Sequence, residues 1–118
     1  MSPAAQPAVL LDVDGTLIDS NYQHAIAWHR TLRDLGEVHP MVELHRAIGM
    51  GGDQLVKHVV GEAFDAEHGE WAAAQEKVRF HELAGDVAAL KGATELIQAL
   101  SDRGCEVVLA SSLSLIHI

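Results

Sequence analysis

Ala8-Val9-Leu10-Leu11-Asp12-Val13-Asp14-Gly15-Thr16-Leu17 is the stretch whose reading decides the fold. Ala8 to Leu11 is a continuous apolar run too short for a helix, and Gly15 ends it abruptly. That combination predicts a strand buried on both faces of a parallel sheet. Asp12 and Asp14 then stand two residues apart at the strand's exit, and ligands of open α/β sheets bind at that C-terminal edge. Two carboxylates so placed repel unless a cation or a shared proton relieves them. A hard divalent cation is the simplest relief, and Mg²⁺ keeps its remaining positions for water and phosphate. The turn Asp14-Gly15-Thr16 can also aim backbone N–H groups at an anion. The stretch thus offers a nucleophilic carboxylate, a proton-transferring carboxylate, a metal site at Asp12 and Asp14, and a phosphate cradle at Gly15. A calcium loop does not fit, because Gly15 comes too early and Gln23 stands where the bidentate Glu belongs.

Outward from this turn, Ser20 is placed to cap a helix, with Gln23 completing a capping box. Ala25, Trp28, Leu32 and Leu35 follow at helical spacing, and Gly36 stops them. Pro40 starts a short second helix carrying Met41, Leu44 and Ile48. After the loop Ile48-Gly49-Met50-Gly51-Gly52, Asp53 caps a third helix through Leu55, Val56, Val59 and Val60. A longer fourth helix is expected from about Ala66 towards Ala84, with Trp71, Ala74, Val78 and Leu83 inward. Gly92 opens a fifth, with Ala93, Leu96, Ile97 and Leu100 inward. Glu106 to Ala110 is a second buried strand landing on Ser111-Ser112. One right-handed crossover normally needs one helix. Four helices between the first strand and the crossover therefore read as an insertion. The predicted fold is α/β: a partial Rossmann-like core of parallel strands with an inserted α-helical cap. Its divisions are core at 1–17, cap at 18–88, core at 89–112 and an atypical tail at 113–118.

The 118 residues suffice for a core. A formal net charge of −9 disfavours non-specific binding to nucleic acid or an anionic membrane. Cys105 is the only cysteine, so no internal disulfide forms and a reducing, cytoplasmic setting is expected. Neither a signal peptide nor an apolar run of membrane-spanning length is present in the sequence. The histidines show no zinc spacing.

The nonapeptide Asp12-Val13-Asp14-Gly15-Thr16-Leu17-Ile18-Asp19-Ser20 resembles the first motif of the haloacid dehalogenase superfamily. The form is that of its phosphoglycolate phosphatase and β-phosphoglucomutase-like subclass. The resemblance implies that Asp12 attacks phosphorus and becomes an aspartyl phosphate. It implies that Asp14 protonates the leaving group and then activates water. Mg²⁺ would be held by the Asp12 carboxylate and the Asp14 backbone carbonyl. An α-helical cap after the motif is also implied. The expected substrate is a small phosphorylated metabolite of the sugar-phosphate or phosphoglycolate class.

Ser111 leaves the second strand at the same sheet edge as Asp12, so its hydroxyl and the Ser112 N–H could bind phosphoryl oxygens. This is similar to the family's second motif, an apolar strand ending in Ser or Thr. Within the cap, Asn21 and His24 lie in the first turn and a half of the first helix, and the resemblance implies that a His there can face substrate. Gly51 and Gly52 belong to a loop whose backbone can approach a ligand. It follows a helix and has Gln54 where a third Gly belongs, so it is no dinucleotide fingerprint.

Asp14 favours phosphoester chemistry over dehalogenation, because a leaving alkoxide needs a proton and a halide does not. The primary expectation is a Mg²⁺-dependent phosphohydrolase. A phosphomutase is the alternative, as is a non-catalytic fragment. The resemblance implies a Lys and a later acidic motif beyond Ser111, whereas Leu113-Ser114-Leu115-Ile116-His117-Ile118 is an apolar tail with no turn signal. The sequence therefore reads as a C-terminally truncated core with little turnover and a tendency to aggregate through open strand edges.

Overall fold

Residues 6–111 and the backbone of 115–117 are described in the structure, a computed structural model. The apolar run forms β1 (Ala8–Asp12), and the second run forms β2 (Glu106–Ala110). The two pair in parallel, from Ala8 opposite Glu106 to Asp12 opposite Ala110. The Glu106 N–H starts the pairing by donating to the Pro7 carbonyl at 2.9 Å. Between them runs α5 (Ala93–Asp102), which packs on β2. Gly92 precedes α5 with φ +88°, a left-handed conformation that costs glycine nothing. The parallel pair and the α/β class are as the sequence predicts.

Three particulars of this unit differ from expectation. A third strand, β3 (Leu115–His117), pairs antiparallel with β2, where a purely parallel set was expected. That makes the sheet order β1-β2-β3. Burial of β1 on both faces is also not found. Val9 and Leu11 are half-buried and share a face with the buried Val107, whereas Leu10 points to the other face and is 64% exposed. Among the described residues β1 is an edge strand, so it has one strand neighbour instead of two. On α5, Leu96 is 44% exposed rather than inward, and Ala93 is the buried residue.

The chain divides into two compact units, residues 1–19 with 88–118 and residues Ser20–Val87. The second unit is helical: α1 (Asn21–Asp34), α2 (Met41–Ala47), α3 (Gly52–Val59) and α4 (Glu62–Leu83), ending in a 3₁₀ turn at Ala84–Asp86. Its core is Trp28, Leu32, Leu44, Ala47, Leu55, Val56 and Ala72. Ser20 does stand at the N-cap of α1, yet its side chain makes no cap hydrogen bond, and Gln23 Oε1 is buried with no partner among the described residues. The capping box is therefore not formed. Gly51, not Asp53, occupies the N-cap of α3, and Asp53 lies in its first turn, where a carboxylate favours the helix dipole.

The fourth helix departs most from its reading. It begins at Glu62, and Trp71 and Val78 are 46% and 52% exposed. Ala74 is exposed as well. Its buried residues are Gly69, Ala72 and Glu76, an i, i+3, i+7 row. Small side chains there let α4 pack on α1 and α3 at close range.

Candidate active site

The site is built on the turn that leaves β1. Asp12 is the last residue of the strand and its side chain is exposed. The next carbonyl, Val13, accepts three amides: Thr16 N–H at 3.1 Å, Leu17 at 2.9 Å and Ile18 at 3.2 Å. The Gly15 N–H donates back to Ile18 O at 2.9 Å. Only a residue free of a Cβ enters this loop cheaply, because Gly15 has φ +76°. Thr16 Oγ1 donates to Asp12 Oδ2 at 3.0 Å, which fixes one carboxylate oxygen. Asp14 is half-buried and forms a bridge with Ile18.

The amides of Gly15 and Thr16 are thus engaged inside the turn. The anion cradle expected of Gly15 is not presented here, and its contribution is conformational. The turn's exit is held from far along the chain. Leu90 N–H donates to Leu17 O at 2.8 Å, Asp19 N–H donates to Ala88 O at 2.8 Å, and Ile18 bridges Ala89.

Because Asp12 is level with Ala110, Ser111 follows one residue further along at the same sheet edge. It is half-buried. The structure therefore brings Asp12, Asp14, Gly15 and Ser111 to one end of the parallel pair. Ser112 lies outside the described residues. The hard oxygen donors of this turn suit Mg²⁺, which binds through one or two carboxylates and retains water. Among the described residues no group of three or more His, Cys, Asp or Glu side chains converges on a metal position. Two adjacent carboxylates, one exposed, fit a lightly held Mg²⁺ and not a zinc or calcium cage.

The remaining candidates belong to the helical unit. Asn21 is the first residue of α1, and its Oδ1 is buried with no hydrogen-bond partner among the described residues. His24, one turn on, lies 2.5 Å through Nδ1 from Glu76 Oε1 and stacks on Phe80. Gly51 and Gly52 lead into α3. Gly52 has a packing reason to lack a side chain: a Cβ there would stand 3.4 Å from both the Trp28 ring and Ala73. Sequence reading missed Thr16, although a hydroxyl four residues after Asp12 in a tight turn was a local signal for it. It also missed Glu76, for which no local signal exists, since 52 residues separate it from His24.

The family of haloacid dehalogenase-like hydrolases matches residues 7–116. A hydrolase from Pseudomonas syringae is 31% identical with TM-score 0.80, covering 91% of this chain and 49% of that one. A protein from Lactobacillus plantarum, provisionally assigned as a phosphoglycolate phosphatase, is 18% identical with TM-score 0.78, covering 91% and 50%. One from Bacteroides vulgatus, provisionally assigned as a β-phosphoglucomutase, is 21% identical with TM-score 0.72, covering 88% and 44%. The chain spans about half the length of these solved structures. No curated protein matches it.

Proposed function

The chain belongs to the haloacid dehalogenase-like hydrolases, and on that premise we propose that it carries the nucleophile-bearing half of a Mg²⁺-dependent phosphohydrolase for a small phosphorylated metabolite. The observation that carries this reading is the parallel register that sets Asp12 opposite Ala110, with Ser111 next along the same edge. In-line attack needs a nucleophilic oxygen and phosphoryl-oxygen donors on one side of the phosphorus. Asp12 is the nucleophile: its carboxylate oxygen forms a bond to phosphorus as the bond to the leaving alkoxide breaks. Thr16 restrains the Oδ2 oxygen, which leaves Oδ1 as the attacking atom. Asp14 donates the proton that the alkoxide needs, then takes one from the water that cleaves the aspartyl phosphate. Ser111 donates its hydroxyl to a phosphoryl oxygen.

Mg²⁺ held by Asp12 and Asp14 would supply positive charge for the phosphoryl oxygens. In the helical unit, Asn21, His24, Gly51 and Gly52 are the substrate contacts of this proposal. The buried Asn21 Oδ1 is an acceptor that a substrate hydroxyl would satisfy. A mutase reading gains no support from the neighbour at 21% identity, which shows shared fold alone.

The test is a chimera in which residues 1–111 replace the matching half of the Pseudomonas syringae hydrolase. It is expected to hydrolyse para-nitrophenyl phosphate, and to lose that turnover both in EDTA and on Asp12→Asn. Unchanged turnover in Asp12→Asn excludes Asp12 as the nucleophile. The 118-residue chain by itself is expected to show only background turnover, and robust Mg²⁺-dependent activity from it would refute that part of the proposal.

A further inference from the structure

His24 is held by α4 from two directions. Its Nδ1 lies 2.5 Å from Glu76 Oε1, and its ring lies face to face with Phe80, centroids 3.8 Å apart and planes within 3°. Glu76 is only 5% exposed and sits on the row of α4 that faces the packed interior, with Gly69 and Ala72. Burying a carboxylate is costly unless a partner meets it, and an apolar residue would fill the same space without that cost. Packing alone therefore does not account for an acid at this position; orienting the imidazole does.

The chemistry of the contact is specific. A carboxylate oxygen is an acceptor, and the donor that matches it across the 2.5 Å contact is an Nδ1–H. Flipping the ring would set a carbon against Glu76 and forfeit the bond, while the Phe80 stack fixes the ring plane. We propose that Glu76 and Phe80 are positioning residues that hold His24 as the Nδ1–H tautomer in one ring orientation. In that tautomer the neutral ring's acceptor atom is Nε2 and protonation turns it into a donor, so the proton decides which role the ring plays wherever it meets substrate. The consequence for substrate rests on the reading above that His24 meets it; the positioning itself does not.

The experiment is long-range ¹H–¹⁵N NMR of the imidazoles in the labelled 118-residue chain at about pH 8, where an ordinary imidazole is neutral, with His24 assigned by its loss in His24→Asn. The Nδ1–H tautomer is expected at His24. Glu76→Gln should retain it, because the amide oxygen still accepts, whereas Glu76→Ala should shift it towards Nε2–H. Phe80→Leu should remove the upfield ring-current displacement of the His24 ring protons. An Nε2–H majority in the unmodified chain, or no tautomer change in Glu76→Ala, overturns the proposal. Should the alanine variant fail to fold, the unmodified and Glu76→Gln spectra decide it. A separate titration with glucose 6-phosphate and Mg²⁺ reads the substrate question. A shift at His24 Nε2 supports contact, and its absence beside an intact Nδ1–H signal removes the contact while leaving the positioning in place.

Discussion

Truncating Leu55 to alanine should cost the helical unit about 3 kcal/mol. Leu55 is fully buried, within the cluster that holds Trp28, Leu32, Leu44 and Val56. The substitution removes three carbons, which at about 0.8 kcal/mol per buried methylene gives roughly 2.4 kcal/mol. The neighbours come from three different helices and collapse only partly, so the residual void adds about 24 cal/mol per Å³. The sum falls near the low end of the roughly 2.7–5 kcal/mol seen for such truncations. A unit the size of Ser20–Val87 has on the order of 3–10 kcal/mol to lose, so the effect is large. Urea unfolding in a Trp71→Phe background reads it, because the remaining Trp28 is 5% exposed and its fluorescence reports the core directly. Leu55→Met, which conserves volume, should cost under about 1.5 kcal/mol. Val42→Ala is the control, since Val42 is 52% exposed. The reasoning fails if Leu55→Ala is no more damaging than Val42→Ala, or if the methionine variant is as unstable as the alanine one.

Thr16→Val removes the hydroxyl that holds Asp12 Oδ2. At this exposed position the bond should be worth about 1 kcal/mol, so kcat of the chimera should fall roughly fivefold and recover in Thr16→Ser. Leu10→Lys, on the open edge strand, should change unfolding free energy by less than about 0.5 kcal/mol and reduce light scattering at high concentration. Gly52→Ala should fit with a change under about 1 kcal/mol, while Gly52→Val should cost roughly 1–3 kcal/mol in the same urea assay, because its extra methyls meet Trp28 and Ala73.

Legibility in the sequence tracked how local each signal was. The runs Ala8–Leu11 and Glu106–Ala110 named both strands, and counting to their ends gave the edge that Asp12 and Ser111 share. The first helix was legible from Trp28 and Leu32, large residues at clear spacing. The inner face of α4 was not, because it is made of Gly69, Ala72 and Glu76, while Trp71 and Val78, large apolar residues of the same helix, are exposed. Hydrophobic periodicity cannot find a face built from a glycine, an alanine and a glutamate. Leu10 misled in the opposite sense: an apolar residue mid-strand reads as buried, but burial depends on a neighbouring layer and not on the residue. The acidic turn announced its candidate residues within nine positions, whereas the Glu76 partner of His24 lies on another helix.

The turn shows why a short motif needs a whole fold beneath it. Four consecutive amides, Gly15 to Ile18, are bonded inside the loop, and Val13 O alone accepts three of them. Such a closed set sets the direction of the peptide carrying Asp14 and the reach of the Thr16 hydroxyl to Asp12. Yet a nonapeptide in water would lose roughly 1–2 kcal/mol per residue in ordering itself this way, more than its few hydrogen bonds return at about 1 kcal/mol each. The deficit is met elsewhere: β2 pairs along the full length of β1, and Leu90 and Ala88 tie the loop's exit. Catalysis by positioned charge needs groups that do not reorganise during the reaction. In this chain that rigidity comes from residues some 70–100 positions downstream of the acids, with Ala88, Leu90 and Glu106–Ala110 supplying it. Their side chains are largely interchangeable for this purpose, because what holds the turn is their backbone.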